Sequence, residues 1–212
     1  MSSRKEPENS KNKSKFSRRG FLTSVGVTSG ALTSGILETE AEAQSTAKLS
    51  GPGEVPNTLQ INGKATRVSV EPRSTLLDTL RHRLDLTAAK RVCDRGTCGA
   101  CTVLVDGKVM YSCTVLAIDA QGRQITTLEG FSTERKPHAV TKAFVNNDAQ
   151  QCGYCTPGFV VAAKGFLDRN PNPTYDEVKK GLGGNLCRCG TYVGVRKAVL
   201  EAAKEIKGGN NA

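Results

Sequence analysis

Eight cysteines fall into two sets of four, and any fold for this chain has to bring each set together. Cys93, Cys98, Cys101 and Cys113 follow the spacing C-x4-C-x2-C-x11-C. Cys152, Cys155, Cys187 and Cys189 follow C-x2-C-x31-C-x-C. No cysteine is left over. Three chemistries use thiols in this way: disulfides, tetrahedral zinc and iron–sulfur clusters.

The spacing favours the third. Glycine or arginine sits between near neighbours: Gly96 and Gly99 in the first set, Gly153 and Arg188 in the second. Cys187 and Cys189 are too close in sequence to bridge each other comfortably. Zinc knuckles usually pair one short Cys-x-x-Cys step with another, and an x4 step followed by x2 suits them less. The first spacing is the plant-type pattern for a [2Fe-2S] cluster, with two thiolates on each iron. The expectation is two [2Fe-2S] clusters with all eight cysteines as ligands. Gly96 and Gly99 would let backbone N–H groups curl around an anionic cluster and would supply positive φ. A secreted, disulfide-bonded binding module is the alternative from another class.

Residues 1–43 read as an export signal. Lys11, Lys13 and Lys15 lead into Ser17-Arg18-Arg19-Gly20-Phe21-Leu22, which resembles the twin-arginine motif. A weakly apolar run from Val25 to Leu37 is too short to span a bilayer. Ala41-Glu42-Ala43 offers a small-x-small cleavage site before Gln44. Twin-arginine export carries folded cargo, so clusters inserted in the cytoplasm could reach an oxidising compartment. A periplasmic location follows as the expectation, with no stable membrane insertion.

The formal charge of +10 invites a nucleic-acid reading. The signal holds 7 Lys+Arg and 5 Asp+Glu, which leaves 23 against 15 beyond it, or +8. Two oxidised clusters with their thiolates would bring this to about +4. Trp is absent, and no basic stripe is interleaved with stacking aromatics, so nucleic acid is not an expected partner. Arg91, Arg95 and Arg188 lie beside cysteines and could offset cluster charge.

After a linker at 44–56, the expected class is α+β, with two domains at 57–132 and 137–207. Alternating Leu59/Ile61 and Val68/Val70 around Asn62-Gly63 predict a hairpin. A helix over 75–83 with Ser74 as N-cap follows. Thr102–Val105, Asp106-Gly107 and Val109 to Cys113 predict a second hairpin, and 125–128 one more strand. This is a β-grasp, ferredoxin-like pattern. The remainder reads as four helices: 139–145, one opened by Thr156-Pro157, one opened by the capping box Thr174-x-x-Glu177, and 193–206. The second cysteine set falls on loops leading into the second and fourth helices, whose N-termini favour an anion. His82 and His138 carry no motif and read as surface residues.

Three blocks resemble the two-cluster iron–sulfur subunit of the xanthine oxidase family of molybdenum hydroxylases. They are Cys93-Asp94-Arg95-Gly96-Thr97-Cys98-Gly99-Ala100-Cys101-Thr102-Val103, Gln151-Cys152-Gly153-Tyr154-Cys155-Thr156-Pro157-Gly158 and Gly184-Asn185-Leu186-Cys187-Arg188-Cys189-Gly190. The resemblance covers about residues 57–206 and, with the export signal, points to periplasmic aldehyde oxidoreductases. It implies a molybdopterin-binding large subunit that oxidises an aldehyde, and a medium subunit that binds FAD. Electrons would pass from the molybdopterin through the helical-domain cluster, then the ferredoxin-like cluster, to FAD. It implies that Gln151 hydrogen-bonds the pterin and that the Cys189 sulfur contacts it. No catalytic residue is implied in this chain. An N-heterocycle, purine or carbon monoxide hydroxylase with the same small subunit is the runner-up.

Overall fold

Asn62 and Gly63 take φ of 51° and 78°, the paired positive values that a type I′ turn requires. They join β1 (Val55–Ile61) to β2 (Lys64–Val70) in continuous antiparallel register, from Val55↔Val70 to Ile61↔Lys64. Asp106 and Gly107, at 51° and 74°, do the same for β3 (Thr102–Val105) and β4 (Lys108–Tyr111). The computed structural model describes residues 51–209. The signal segment 1–43, with its arginine pair and cleavage site, lies outside the described residues. β1 starts two residues inside the stretch read as linker, with Pro56 opposite Ser69.

The five strands form one mixed sheet in the order β2-β1-β5-β3-β4. β5 (Gln124–Thr126) runs parallel to β1 and antiparallel to β3. It ends earlier than expected, because Leu128 opens a one-turn helix, α2 (Leu128–Phe131). α1 (Leu76–Asp78) runs on into a π-helical segment (Thr79–Arg83). Its cap is Thr75 rather than Ser74: the Thr75 hydroxyl accepts from the Asp78 N–H at 3.1 Å. Leu76, Leu77 and Leu80 pack with Leu59, Ile61, Val103, Val105 and Ile125 on one face of the sheet. A helix set on a mixed sheet, with the first cysteine loop after it, is the β-grasp arrangement.

The helical part comprises α3 (Ala139–Asn146), α4 (Thr156–Leu167), α5 (Tyr175–Gly181) and α6 (Tyr192–Gly209) around a second core that includes Phe144, Phe159, Val160 and Val199. The Thr174–Glu177 capping box is present as expected. α4 opens one residue earlier than read, with Cys155 as its N-cap.

The two parts belong to one compact unit. β3 explains how: all four of its residues are buried, where a one-sided sheet would alternate. Val103 and Val105 face α1, and Leu104 faces α4. Glycines allow that approach. A Cβ on Gly165 would sit 2.6 Å from Leu104 Cδ2, and one on Gly158 would sit 2.5 Å from the Gly99 carbonyl oxygen. No helix among the described residues is long and apolar enough to cross a membrane.

Candidate metal centres

The first cysteine loop follows the π-helical segment and ends in β3, with Cys113 returning from the 3-10 turn after β4 (Ser112–Thr114). Cys101 and Cys113 are buried, whereas Cys93 and Cys98 are partly exposed. The backbone curls toward the sulfurs as the glycines suggest. Gly96, at φ 70°, donates its N–H to Cys113 Sγ at 3.3 Å, and Thr97 donates to Cys93 Sγ at 3.4 Å.

The loop also polarises its own thiols. Hydrogen bonding by Thr97 brings Cys93 down to about 6 against the opposing effect of burial. Burial pushes Cys101 up to about 12, and the neighbouring Cys113 thiol adds to the rise. One thiol is thus ready as a thiolate, and its buried partner keeps its proton until a cation replaces it.

The second set is built on helix entrances. Cys155 caps α4, and Cys187 and Cys189 precede α6. Cys187 is buried, Cys155 and Cys189 are partly buried, and Cys152 is exposed. Burial pushes Cys155 up to about 12, helped by Cys187 beside it. Burial also opposes the charge on Cys187, yet hydrogen bonds from Thr191, Cys155 and Cys189 outweigh it and hold this thiol at about 7. Three of the set, Cys152, Cys155 and Cys187, line a cavity of about 400 Å³ together with Tyr154, Leu186 and, from the first loop, Cys98.

No disulfide joins any of the eight cysteines. Among the described residues no three His, Cys, Asp or Glu side chains converge as a mononuclear ion requires. A binuclear cluster asks only for two thiolates on each iron. The donor set, backbone N–H groups directed at sulfur and glycines at positive φ fit [2Fe-2S] clusters. Cys93, Cys98, Cys101 and Cys113 would hold one, and Cys152, Cys155, Cys187 and Cys189 the other.

Some expectations need correction. The Arg91 guanidinium binds the Asp78 carboxylate and lies 3.8 Å from Asp94 of the cysteine loop, so its charge is shared with two carboxylates. Arg95 donates to the Cys93 carbonyl, and Arg188 is exposed. His138 is no bystander, for its Nδ1 accepts the Val140 N–H as the N-cap of α3. His82 is exposed, 4.0 Å from Asp78. Gln151 is exposed next to Cys152.

Sequence reasoning missed three residues. Asn185 is buried and donates through Nδ2 to the Gly99 carbonyl at 2.9 Å and to Thr102 Oγ1 at 3.2 Å. The Tyr111 hydroxyl donates to the Gly184 carbonyl at 2.9 Å. Thr191 places its hydroxyl 3.1 Å from Cys187 Sγ. The only sequence signal was proximity: Asn185 and Thr191 each lie two residues from a cysteine of the second set.

Two sets of four thiols, one on a β-grasp sheet and one at helix N-termini, define a two-cluster iron–sulfur electron carrier. Family models agree. A 2Fe-2S iron-sulfur cluster binding domain matches residues 59–127, and a [2Fe-2S] binding domain matches residues 127–200. The chain is 41% identical over 171 residues to the aldehyde oxidoreductase iron-sulfur-binding subunit PaoA of Escherichia coli, covering 74% of this chain and 75% of that protein. It is 46% identical over 146 residues to a nicotinate dehydrogenase subunit from Pseudomonas putida, covering 69% and 93%. Quinoline 2-oxidoreductase from Pseudomonas putida 86 superposes with a TM-score of 0.66 at 42% identity, over 72% of this chain and 97% of that one. Aldehyde oxidoreductase from Desulfovibrio desulfuricans gives 0.70 at 41%, over 72% of this chain and 17% of that longer one. The chain belongs to the iron–sulfur electron-transfer subunits of the molybdenum hydroxylase family.

Proposed function

We propose that the chain serves a periplasmic, molybdenum-dependent aldehyde oxidoreductase. It lies between a large subunit that binds molybdopterin and a medium subunit that binds FAD. When bound, the two clusters supply one-electron carriers between a two-electron oxidation and a flavin. The chain's own residues hold them, shield them from water and set which one meets which partner.

The observation that carries the orientation is exposure around the second set. Gln151 and Cys152 are exposed, and Tyr154 and Leu186, each next to a cysteine of this set, are about half exposed. Large apolar side chains left in water around a metal centre suit a surface that a protein partner covers. This face meets the molybdopterin subunit, with Gln151 hydrogen-bonding the pterin and Cys189 sulfur against it. The first cysteine loop then faces the flavin side.

Two variants test this in the purified complex. Cys113→Ser should leave reduction of molybdenum by aldehyde in a single turnover largely intact and slow flavin reduction. Gln151→Ala should keep both clusters visible by EPR while weakening molybdopterin retention, at a cost of about 0.5–1.5 kcal/mol for one hydrogen bond. The orientation is reversed if Gln151→Ala changes nothing and Cys113→Ser removes the cluster that couples magnetically to molybdenum.

Aldehyde as substrate class draws on the likeness to PaoA together with the export signal. A second reading, oxidation of an N-heterocycle, draws on the likeness to the nicotinate dehydrogenase subunit and to quinoline 2-oxidoreductase. Assaying the complex with benzaldehyde against nicotinate and quinoline separates them. Arg18→Lys with Arg19→Lys should leave a coloured, folded protein in the cytoplasm, and continued export of that variant overturns the twin-arginine assignment.

A further inference from the structure

Thr191 stands at the entrance of α6, where its carbonyl accepts the Val195 N–H at 3.0 Å. A hydroxyl at such a position ordinarily accepts from the next free helix N–H groups. Here it lies 3.1 Å from Cys187 Sγ. Thr191 is only 8% exposed and Cys187 8%, so water competes little for either atom. The neighbouring Tyr192 takes the other end of the same cysteine, its hydroxyl oxygen accepting the Cys187 N–H at 2.9 Å. Cys155 and Cys189 also bond this sulfur, but Thr191 contributes the largest of its hydrogen bonds and the hydroxyl among them.

A thiolate in a cluster has no proton, so only the threonine can donate. Adding one electron to the iron–sulfur core makes and breaks no bond and takes up no proton here; it raises negative charge on the ligand sulfurs. A donor aimed at one of them favours the reduced state. In the first loop Gly96 and Thr97 reach Cys113 and Cys93 through backbone N–H groups, and the Thr97 side chain also bonds Cys93, so each set has its own threonine. Side-chain substitution can therefore change the donor at one set and leave the other alone.

We infer that the Thr191 hydroxyl is a positioning residue for electron transfer, raising the reduction potential of the helical-domain cluster through its hydrogen bond to Cys187 Sγ. This rests on Cys187 being a ligand of that cluster.

The test is an EPR-monitored redox titration of the holoprotein, which reads the two clusters separately. Thr191→Val keeps the shape and removes the hydroxyl. It should lower the equilibrium constant for reduction of the helical cluster about tenfold, a fall of about 59 mV for a one-electron couple. The β-grasp cluster should stay at its wild-type potential, and Thr191→Ser should restore the helical one. Thr191→Ala carries the same expectation if the valine variant fails to hold its cluster. An unchanged potential in both hydroxyl-free variants overturns the inference, and so does an equal shift of both clusters. Cys187→Ala separately tests the premise: full retention of both clusters would remove Cys187 as a ligand, whereas loss of the helical cluster alone leaves the threonine result to be judged by itself.

Discussion

The Leu186 N–H donates to the Cys98 carbonyl oxygen at 2.9 Å. Cys98 belongs to the first cysteine set, and Leu186 is bonded directly to Cys187 of the second. One hydrogen bond therefore closes an unbroken path of bonds between the two thiol sets. Asn185 clamps the same junction from the other side, through the Gly99 carbonyl and Thr102.

Asn185→Ala should loosen that junction. It removes two hydrogen bonds, each worth about 0.5–1.5 kcal/mol net, from a carbonyl and a hydroxyl that remain bonded to each other. The expected result is a lower unfolding temperature together with a changed magnetic interaction between the two reduced clusters. A variant with wild-type stability and an unaltered spin–spin splitting would show that the junction stands without the clamp.

Gly158→Ala tests the approach of α4 to the first loop. The helix gains about 1 kcal/mol in propensity from alanine. The new Cβ would meet the Gly99 carbonyl oxygen at 2.5 Å, and backbone cannot rotate away as a side chain does. Overpacking of this kind costs about 1–3 kcal/mol. The net expectation is destabilisation with an altered EPR spectrum of the β-grasp cluster. Gly208→Ala, also in a helix but with nothing within 4 Å, should leave the spectrum unchanged and cost no stability.

His138 predicts a pH dependence. Burial holds its pKa below the usual histidine value, the Lys164 ammonium adds to this, and the Asp168 and Glu205 carboxylates oppose it. The unfolded chain therefore takes up the proton first as pH falls. The stability from the neutral Nδ1 cap is present above about 6.5 and declines as pH drops through the lower folded value. Unfolding temperatures measured between pH 8 and 5 should fall more steeply for the wild type than for His138→Asn, which can still cap α3. Parallel curves would refute the assignment.

Metal content separates the two sets. The holoprotein should carry about four iron and four acid-labile sulfide, and Cys113→Ser or Cys155→Ser should each lose about half of both. Zinc without sulfide would contradict the cluster assignment for this chain.

What could be read from the sequence was local. Asn62-Gly63 and Asp106-Gly107 determine their own turns, and Thr174 with Glu177 closes a capping box without outside help. The cysteine spacing pointed to two sets because four ligands must be near one another whatever surrounds them. Errors of one residue arose where neighbours compete for one role, as with Ser74 and Thr75, or Thr156 and Cys155. Contacts between distant segments left no trace in the sequence. Gly158 and Gly165 read as ordinary helix residues, and their reason is a cysteine loop and a sheet more than fifty residues earlier in the chain. His138 looked idle because a cap is recognised by what it accepts, not by its own identity.

The contact between Gly158 and the Gly99 carbonyl has a bearing on ancestry and engineering. A border near residue 127, where the matches to the two domain models meet, suggests halves that could be traded between relatives like interchangeable cartridges. The seam argues otherwise. A transplanted helical half must bring a glycine at 158 and an asparagine at 185, and the recipient must offer bare backbone at 99. Chimeras that ignore these three positions should assemble poorly even when every cysteine is kept, so the halves are best inherited as a matched pair.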